Sequence, residues 1–199
     1  MPRRPRSAIP AYAYHVMNRS IRQVSLFSDP GDYSEFLDIL ARGLRLHPVE
    51  VLAFCLMPNH WHFVLRGSET TKLSSLLHWL TTTHARHWHH VRHTTGLGPV
   101  YKGRFLSIPL AEEADVLRVC RYVERNPLRA GLVERAERWQ WSSLHERRTP
   151  DPAVPLVCVP VLAGLAWVDF VNQPASRGEE DEMAQVHEPP EEGVDQATG

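Results

Sequence analysis

The sequence of 199 residues lacks features that define several large classes of protein. No run of 18 apolar residues occurs, which excludes a transmembrane helix. No apolar segment follows the basic residues at positions 1–6, so we do not expect a secretory signal peptide. The few cysteines form no CxxC pair and lie in apolar contexts: Cys55, Cys120 and Cys158. They indicate small core residues in a reducing cytoplasm, not a structural metal site, and we expect no membrane partner.

Lysine is scarce in a chain that is otherwise rich in basic residues. Only Lys72 and Lys102 occur among 22 basic residues, so arginine carries most of the positive charge. Residues 1–150 contain 21 basic and 13 acidic residues, whereas residues 151–199 contain one basic and 10 acidic residues. This excess of positive charge on the body indicates a polyanionic partner, most simply nucleic acid, and a mixed soluble surface that leans basic is the alternative.

Composition and hydrophobic periodicity divide the chain into four parts. We predict a basic arm over residues 1–9, a folded domain over 10–146, a Pro-rich and short helical extension over 147–177, and a disordered acidic tail over 178–199. The domain is predicted to contain strands over 12–18, 49–57, 60–66 and 100–108, and helices over 30–46, 73–92 and 112–125. This order predicts an α+β fold, an antiparallel sheet sandwiched with helices on one or both faces.

Two histidines stand one residue apart in the strand that follows the predicted Pro58-Asn59 turn. Alternate side chains of a strand project to the same face, so we expect His60 and His62 to point together while Trp61 points away. Two imidazoles placed in this way can share one metal ion. A pair of edge-strand histidines that bond to backbone or water is the simpler alternative.

The helix predicted over 112–125 carries Tyr122, and Asn126 lies four residues further on, so both project from one face. We expect Asn126-Pro127 to end or kink this helix. A tyrosine is a competent nucleophile toward phosphorus when a metal polarises the phosphate, although a lone tyrosine on such a helix is more commonly a core residue. The oxygen of Asn126 with two imidazoles would suit Mn²⁺ or another divalent ion better than Mg²⁺. Tyr101 is the rival nucleophile, but we expect it to pack or stack.

Eight basic residues are candidates for contacts with nucleic-acid phosphates, and with DNA if the resemblance described below holds, because arginine binds phosphate in a bidentate manner. They are Arg86, Arg92, Lys102, Arg104, Arg118, Arg121, Arg125 and Arg129. The histidine-rich segment over 78–93 is either a DNA-facing helix end or a polar face tolerated by solvent. A second metal site built on His89 and His93 lacks an obvious third ligand.

Five motifs occur in one order along the chain: residues 14–19 (YHVMNR), 55–62 (CLMPNHWH), 103–105 (GRF), 122–133 (YVERNPLRAGLV) and 141–143 (WSS). In this combination the chain resembles the single-tyrosine, His-hydrophobe-His transposases of the IS200 type, and among them the REP-associated tyrosine transposases of bacteria. The resemblance covers about residues 10–145. It implies the ferredoxin/RRM-like fold of His-hydrophobe-His nucleases.

The resemblance also implies a function. A divalent metal, Mg²⁺ or Mn²⁺, would bind to His60, His62 and Asn126, and Tyr122 would attack a phosphate of single-stranded DNA at a hairpin. The attack would form a 5′-phosphotyrosine and release a 3′-hydroxyl, in DNA transposition and recombination or in a domesticated derivative. The chain would act as a monomer or homodimer. The alternative is a non-catalytic protein that keeps the fold and binds DNA hairpins or RNA.

Overall fold

The computed structural model describes residues 13–67, 70–157 and 164–175, together with residues 178 and 183. It confirms the α+β fold, with four antiparallel strands in the order β2-β3-β1-β4: β1 (Ala13–Arg19), β2 (Glu50–Met57), β3 (His60–Arg66) and β4 (Leu106–Leu110). The helices are α1 (Pro30–Leu46), α2 (Thr70–Val91), α3 (Glu113–Arg129), α4 (Ser143–Glu146) and α5 (Leu165–Asn172). The predicted basic arm, Cys158 and nearly all of the predicted acidic tail lie outside the described residues.

The β2-β3 hairpin has the alternation of side chains that its sequence predicts. Trp61 is fully buried in the core cluster that contains α1 and α2. Cys55, which lies opposite His62 in the register, is buried in the second cluster with Cys120 of α3. The two faces of the sheet are therefore covered by different helices, α1 and α2 on one face and α3 on the other.

Helix α1 begins where the sequence places its start. The side chain of Asp29 accepts hydrogen bonds from the backbone N–H groups of Gly31 and Asp32, with Pro30 at the first helical position. Later in α1, a Cβ added at Gly43 would come within 2.8 Å of the Trp79 ring on α2. The absence of a side chain at this position lets the two helices approach closely over the sheet.

Helix α3 continues through Pro127 to Arg129, so the prediction that it could end at Asn126-Pro127 is wrong. Pro127 lacks only one N–H, and its buried ring packs near the end of the helix, where little of the hydrogen-bond ladder remains to be lost. Two backbone hydrogen bonds then close the last turn, from Gly131 N–H to Leu128 O and from Leu132 N–H to Pro127 O. Gly131 has φ of 68°, as this type of helix ending requires.

The strand predicted over residues 100–108 is shorter and begins later. Tyr101 forms an isolated bridge with Ser20, and regular pairing with β1 begins where Leu106 lies opposite Met17. Between these points the chain bends, held by hydrogen bonds from Lys102 N–H to Arg19 O and from the Asn18 side chain to Gly103 O. The bend places residues 102–104 beside the end of β1.

The chain beyond α3 covers the β2 edge and then returns to α3. The Leu56 N–H donates to Trp141 O, and the Val157 N–H donates to Val51 O. Helix α5 buries Trp167 in the cluster that contains α3. The segment predicted as an extension therefore packs against the domain at Val157 and through helix α5. None of the helices in the described ranges is long and apolar enough to cross a membrane.

Candidate active site

His60 and His62 lie on the α3 face of the sheet, as strand alternation predicts. In the register of β1 and β3, His60 lies opposite Arg19 and His62 lies opposite Met17. The two imidazole rings have centroids 4.9 Å apart and are nearly perpendicular. His62 is fully buried and His60 is half-buried, so the pair extends from the core to the surface at one end of the sheet.

Each of the two rings has a neighbour at Nδ1. Nδ1 of His60 lies 2.7 Å from Oδ1 of Asn59, an oxygen that can only accept, so the proton of this ring is on Nδ1. Nδ1 of His62 lies 3.0 Å from Nε2 of His15. When Nδ1 of His62 donates in this pair, Nε2 of both His60 and His62 carries a lone pair, as a metal ligand requires.

His15 is a member of the site that the sequence analysis did not single out. It is 1% exposed, and its ring stacks on His62 with centroids 5.2 Å apart and an angle of 7°. His15 lies opposite Val64, two residues along β3 from His62 on the same face. This contact depends on the register between β1 and β3, which no local pattern specifies. The sequence offered one signal for it, since His15 stands in the motif over residues 14–19.

Tyr122 on α3 lies beside His62 and His15. Its ring meets His62 edge-on with centroids 6.0 Å apart and meets His15 edge-on at 6.3 Å. Nη2 of Arg129 lies 3.2 Å from the Tyr122 hydroxyl, and the guanidinium carbon lies 4.9 Å from the ring centroid. A phenol, two imidazoles of β3 and a guanidinium thus meet in one place, which is a suitable set of groups for phosphoryl transfer.

The side chain of Asn126 is bonded within α3. Its Oδ1 accepts a hydrogen bond from Nη2 of Arg129 at 2.9 Å, and its Nδ2 donates to the backbone oxygen of Tyr122 at 3.1 Å. Within the described ranges, no group of three or more His, Cys, Asp or Glu side chains could hold a metal ion by itself. His60 and His62 therefore fit a divalent ion by their chemistry, with the remaining ligands drawn from amide, phosphate or water oxygen, and Asn126 as third ligand stays a prediction.

Three of the eight predicted DNA-binding residues bond to other elements of the protein, and a fourth, Arg129, bonds within α3 to Tyr122 and Asn126. Arg92 lies 2.5 Å from Oδ2 of Asp32 and over the Trp88 ring. Arg121 donates to the backbone oxygens of Phe170 and Gln173, and Arg125 donates to that of Val171. These arginines hold helices together, and their spacing along the sequence gave no indication of it.

The other predicted contacts are differently placed. Arg86, Lys102, Arg104 and Arg118 are exposed, and Arg118 lies 3.5 Å from Asp115. Lys102 and Arg104 flank the end of β1, which pairs with the His60 end of β3. Arg19, directly opposite His60, is a further basic residue at this end that the sequence analysis did not select.

Tyr101 packs in the core, as expected. Its hydroxyl accepts a hydrogen bond from Trp61 Nε1 at 3.2 Å and lies 2.7 Å from Nδ1 of His84. Burial raises the pKa of Tyr101 and lowers the pKa of His84 to about 3, so both groups are neutral and the imidazole accepts a hydrogen bond from the phenolic O–H. Tyr101 belongs to the core cluster on the α1 and α2 side of the sheet, and His84 contacts that cluster. Both therefore lie on the face opposite His60 and His62.

The histidine-rich end of α2 serves a local structural purpose at His89. Its Nδ1 lies 2.8 Å from the Thr94 hydroxyl, and its Nε2 lies 3.0 Å from Gly98 O, so both nitrogens hold the following loop. His93 lies beyond the helix with φ of 52°. His89 and His93, which were considered as a possible pair of metal ligands, therefore lie on a helix and in a loop respectively.

A buried polar cluster on the other side of α3 was also missed by the sequence analysis. Glu124 is fully buried and accepts hydrogen bonds from Ser143 Oγ, Trp167 Nε1 and Nη1 of Arg147. Burial raises the pKa of Glu124, while these three donors act in the opposite direction. Nη2 of Arg147 continues to the backbone oxygen of Leu52. The cluster fixes α3 to β2, α4 and α5.

Comparison with known proteins identifies the family and the fold of the chain. A Haemophilus influenzae protein described as a REP-associated tyrosine transposase is 24% identical over 123 residues, which are 57% of this chain and 70% of that protein. A solved structure of a REP-associated tyrosine transposase bound to a REP hairpin matches 80% of this chain and 100% of its own, with 17% identity and a TM-score of 0.55, and so shows the same fold. The family described as Transposase IS200 like matches residues 8–126. The chain therefore belongs to the IS200-like transposase family, as its motifs predict.

Proposed function

We propose that this chain cleaves and rejoins single-stranded DNA at hairpins, with Tyr122 as the nucleophile and a divalent metal, Mg²⁺ or Mn²⁺, at His60 and His62. The observation that carries the proposal is the 6.0 Å contact between the rings of His62 and Tyr122, which are 60 residues apart in the sequence. The hairpin-bound structure of the same fold supports a DNA hairpin as the substrate.

In the proposed reaction, the phenolic oxygen of Tyr122 attacks the phosphorus of a DNA phosphodiester. The O–P bond to tyrosine forms as the bond from phosphorus to the 3′ oxygen breaks, which leaves a 5′-phosphotyrosine. The phenolic proton passes to solvent, and the leaving oxygen takes up a proton to become a 3′-hydroxyl. A divalent ion at His60 and His62 supplies polarisation of the phosphate. A 3′-hydroxyl reverses these steps and releases Tyr122, so strand transfer needs no external energy source.

We propose that the DNA strand crosses the end of the sheet where His60 reaches the surface. Arg19 lies opposite His60, and the exposed Lys102 and Arg104 follow on the bend beside β1. Three positive side chains at this end would hold phosphates on both sides of the bond to be cut. The exposed Arg86 and Arg118 are further candidates, whereas the internal bonds of Arg92, Arg121 and Arg125 argue against a direct contact.

The site is proposed to work within one chain. Tyr122 approaches His62 and His15 of its own sheet, so no second copy is needed to complete the group of side chains. We therefore favour an active monomer over a dimer that exchanges α3. A cytoplasmic location, where DNA is accessible and cysteines stay reduced, completes the proposal.

The test is the formation of a covalent protein–DNA adduct. Purified protein is incubated with a labelled hairpin oligonucleotide and Mn²⁺, and the products are separated on a denaturing gel. We expect an adduct with the wild type and with Tyr101→Phe, and none with Tyr122→Phe. An adduct that survives Tyr122→Phe would overturn the assignment of the nucleophile.

Two further arms address the alternative function. If the wild type binds the DNA hairpin but forms no adduct with Mn²⁺ or Mg²⁺, the protein is a hairpin-binding protein that lacks the chemistry. An RNA hairpin of the same sequence is expected to bind more weakly than the DNA hairpin. Equal or tighter binding of RNA would contradict DNA as the substrate.

A further inference from the structure

We propose that the turn between β1 and α1, residues 21–25, recognises purine bases in the unpaired strand beside the hairpin, with Arg22 and Gln23 as the residues that determine the preference. This inference rests on the proposed function, because it concerns the DNA that the same site would select. Neither residue was singled out from the sequence. The position of the turn, its backbone conformation and its two polar side chains carry the argument.

The turn lies at the end of the sheet that carries His60. The N–H of Ser20, the residue before the turn, donates to Asn59 O at 2.9 Å, and Asn59 directly precedes His60. Arg22 follows Arg19, which lies opposite His60, by three residues, a distance of at most about 11 Å along the chain. A DNA strand that crosses this end of the sheet therefore passes beside the turn.

The backbone of the turn has a conformation that residues of its type rarely adopt. Arg22 has φ of 53° and ψ of 26°, and Gln23 has φ of 56°. Left-handed conformations are costly for such residues, because the Cβ atom comes too close to the following carbonyl oxygen. The chain after the turn is fixed to the core: the N–H groups of Leu26 and Phe27 donate to Pro58 O at 2.7 and 3.1 Å, and both side chains are buried. Strain that the surrounding structure maintains in this way is typical of binding sites.

The two strained residues carry side chains that the turn itself does not need. Glycine adopts a positive φ at no steric cost, so a turn that only reversed the chain would favour glycine at both positions. Arg22 and Gln23 are instead long, polar and exposed. Within the described ranges, neither side chain forms a hydrogen bond or an ion pair with the rest of the protein. Both are therefore available to a ligand at this end of the sheet.

The chemistry of the two side chains favours purine bases over phosphates. A guanidinium donates two parallel hydrogen bonds to O6 and N7 of guanine, and a glutamine amide bonds to N6 and N7 of adenine. An unpaired nucleotide exposes these edges, and pyrimidines have no N7. A phosphate contact needs positive charge, which Gln23 lacks. We therefore expect Arg22 to favour guanine and Gln23 to favour adenine.

The first test measures base preference without cleavage. Hairpin oligonucleotides with unpaired nucleotides on each side of the stem are prepared with each unpaired position changed in turn. Their affinities for the Tyr122→Phe protein are measured by fluorescence anisotropy. We expect a purine to be preferred about tenfold over pyrimidines at the positions that the turn contacts. In the same background, Arg22→Met should remove the preference for guanine, and Gln23→Leu should remove the preference for adenine.

Changes in the DNA and in the protein are then combined. 7-Deazaguanine, which lacks N7, should weaken binding to the parent protein but should cause no further loss in Arg22→Met, because the two changes remove the same contact. Losses that multiply would contradict the inference. Arg45→Met is the control: it is the same exchange at an exposed position in the last turn of α1, shortly before the β2 end that pairs with Arg66, away from His60. It should keep every base preference.

A glycine variant separates base recognition from a structural role. Arg22→Gly relieves the strained backbone and removes the guanidinium, so the urea midpoint of unfolding should stay the same or rise while the preference for guanine is lost. A preference that survives Arg22→Gly, whatever its midpoint, would overturn the inference. Arg22→Met leaves the backbone cost in place and supplies the same readout if the glycine variant does not fold.

The remaining outcomes separate this inference from its alternatives. If Arg22→Met weakens all oligonucleotides equally and lowers the salt slope of binding by about 0.7, Arg22 contacts a phosphate, and base recognition by this residue is overturned. Hairpin binding without any base preference beside the stem would overturn the inference and leave the proposed function standing. No binding of DNA hairpins at all would overturn both.

Discussion

His15 illustrates how much of the site depends on single residues that sequence patterns do not emphasise. His60 and His62 could be assigned to one face because strand alternation is a local property. The partner of His62 could not be assigned, because His15 reaches it only through the register of two strands that are distant in the sequence. For the same reason, Tyr122 could be proposed as a nucleophile from the sequence, but the individual side chains that it contacts could not be predicted.

We predict that His15→Phe weakens metal binding while the ring packing is kept. Phenylalanine fills a similar volume, but it cannot form the 3.0 Å hydrogen bond that joins His15 to His62. Residues that orient a ligand typically contribute 10- to 100-fold to metal affinity, so we expect the dissociation constant for Mn²⁺, measured by calorimetry, to increase about tenfold. The control is His78→Phe on the exposed side of α2. Equal affinities of His15→Phe and wild type would show that His15 only packs.

Buried His84 predicts a specific dependence of stability on pH. Burial lowers its pKa to about 3 from an ordinary value of 6.5, so below pH 6.5 the unfolded chain binds a proton that the folded protein does not. The free energy of unfolding should therefore fall as the pH decreases from 6.5 toward 3, by up to about 1.4 kcal/mol per pH unit from this residue. In urea titrations, the stability advantage of wild type over His84→Gln should shrink between pH 7 and pH 4.5. A constant difference would contradict the buried neutral state.

At the scale of elements, α3 is held from two sides with different chemistry. One face presents Tyr122 to the histidines, and the other buries Glu124 against Arg147, Ser143 and Trp167. Helix α5, which lies beyond the residues that the family matches, contributes Trp167 and the backbone oxygens bound by Arg121 and Arg125. The position of Tyr122, the proposed nucleophile, thus depends on helix α5.

We predict that Arg147→Met destabilises the protein by about 3 kcal/mol, because it leaves the buried Glu124 carboxylate without its cation. The measurement is the free energy of unfolding in urea. Adding Glu124→Gln to Arg147→Met should recover part of the loss, since the neutral amide costs less to bury. Arg138→Met, at an exposed pair with Glu134, should change stability by less than about 0.5 kcal/mol. No recovery in the double variant would mean that the ion pair is not the cause.

The elements differ in how well sequence patterns predict them. Helix α1 and the β2-β3 hairpin follow the predictions closely because a cap, a turn and regular periodicity agree there. Helix α3 and β4 do not, because tertiary contacts override local signals. Packing carries α3 through Pro127, and hydrogen bonds to Asn18 and Arg19 delay the pairing of β4.

For the molecule as a whole, the sequence sets the excess of basic residues and the fold decides which of them remain exposed. The basic excess of residues 1–150 supports a nucleic-acid partner, but the fold uses Arg92, Arg121 and Arg125 for internal contacts. The exposed Lys102 and Arg104 instead lie near the end of the sheet that carries His60. Net charge alone would therefore overestimate the number of phosphates that the protein contacts.

The salt dependence of hairpin binding measures that number. For single-stranded DNA, the slope of log affinity against log salt concentration is about −0.7 for each neutralised phosphate. We expect Lys102→Met and Arg104→Met each to reduce the slope by about that amount. Arg92→Met should leave the slope unchanged, because Asp32 already uses its charge. A change of slope in Arg92→Met without a change in the other two variants would place the DNA elsewhere.

The most direct test of the central claim is mass spectrometry of the covalent adduct. Wild-type protein is reacted with a hairpin oligonucleotide in the presence of Mn²⁺, digested with nuclease and protease, and its peptides are sequenced. We expect a nucleotide-phosphate mass on the peptide that contains Tyr122, located on that tyrosine. A modification on Tyr101 or any other residue, with Tyr122 unmodified, would contradict it.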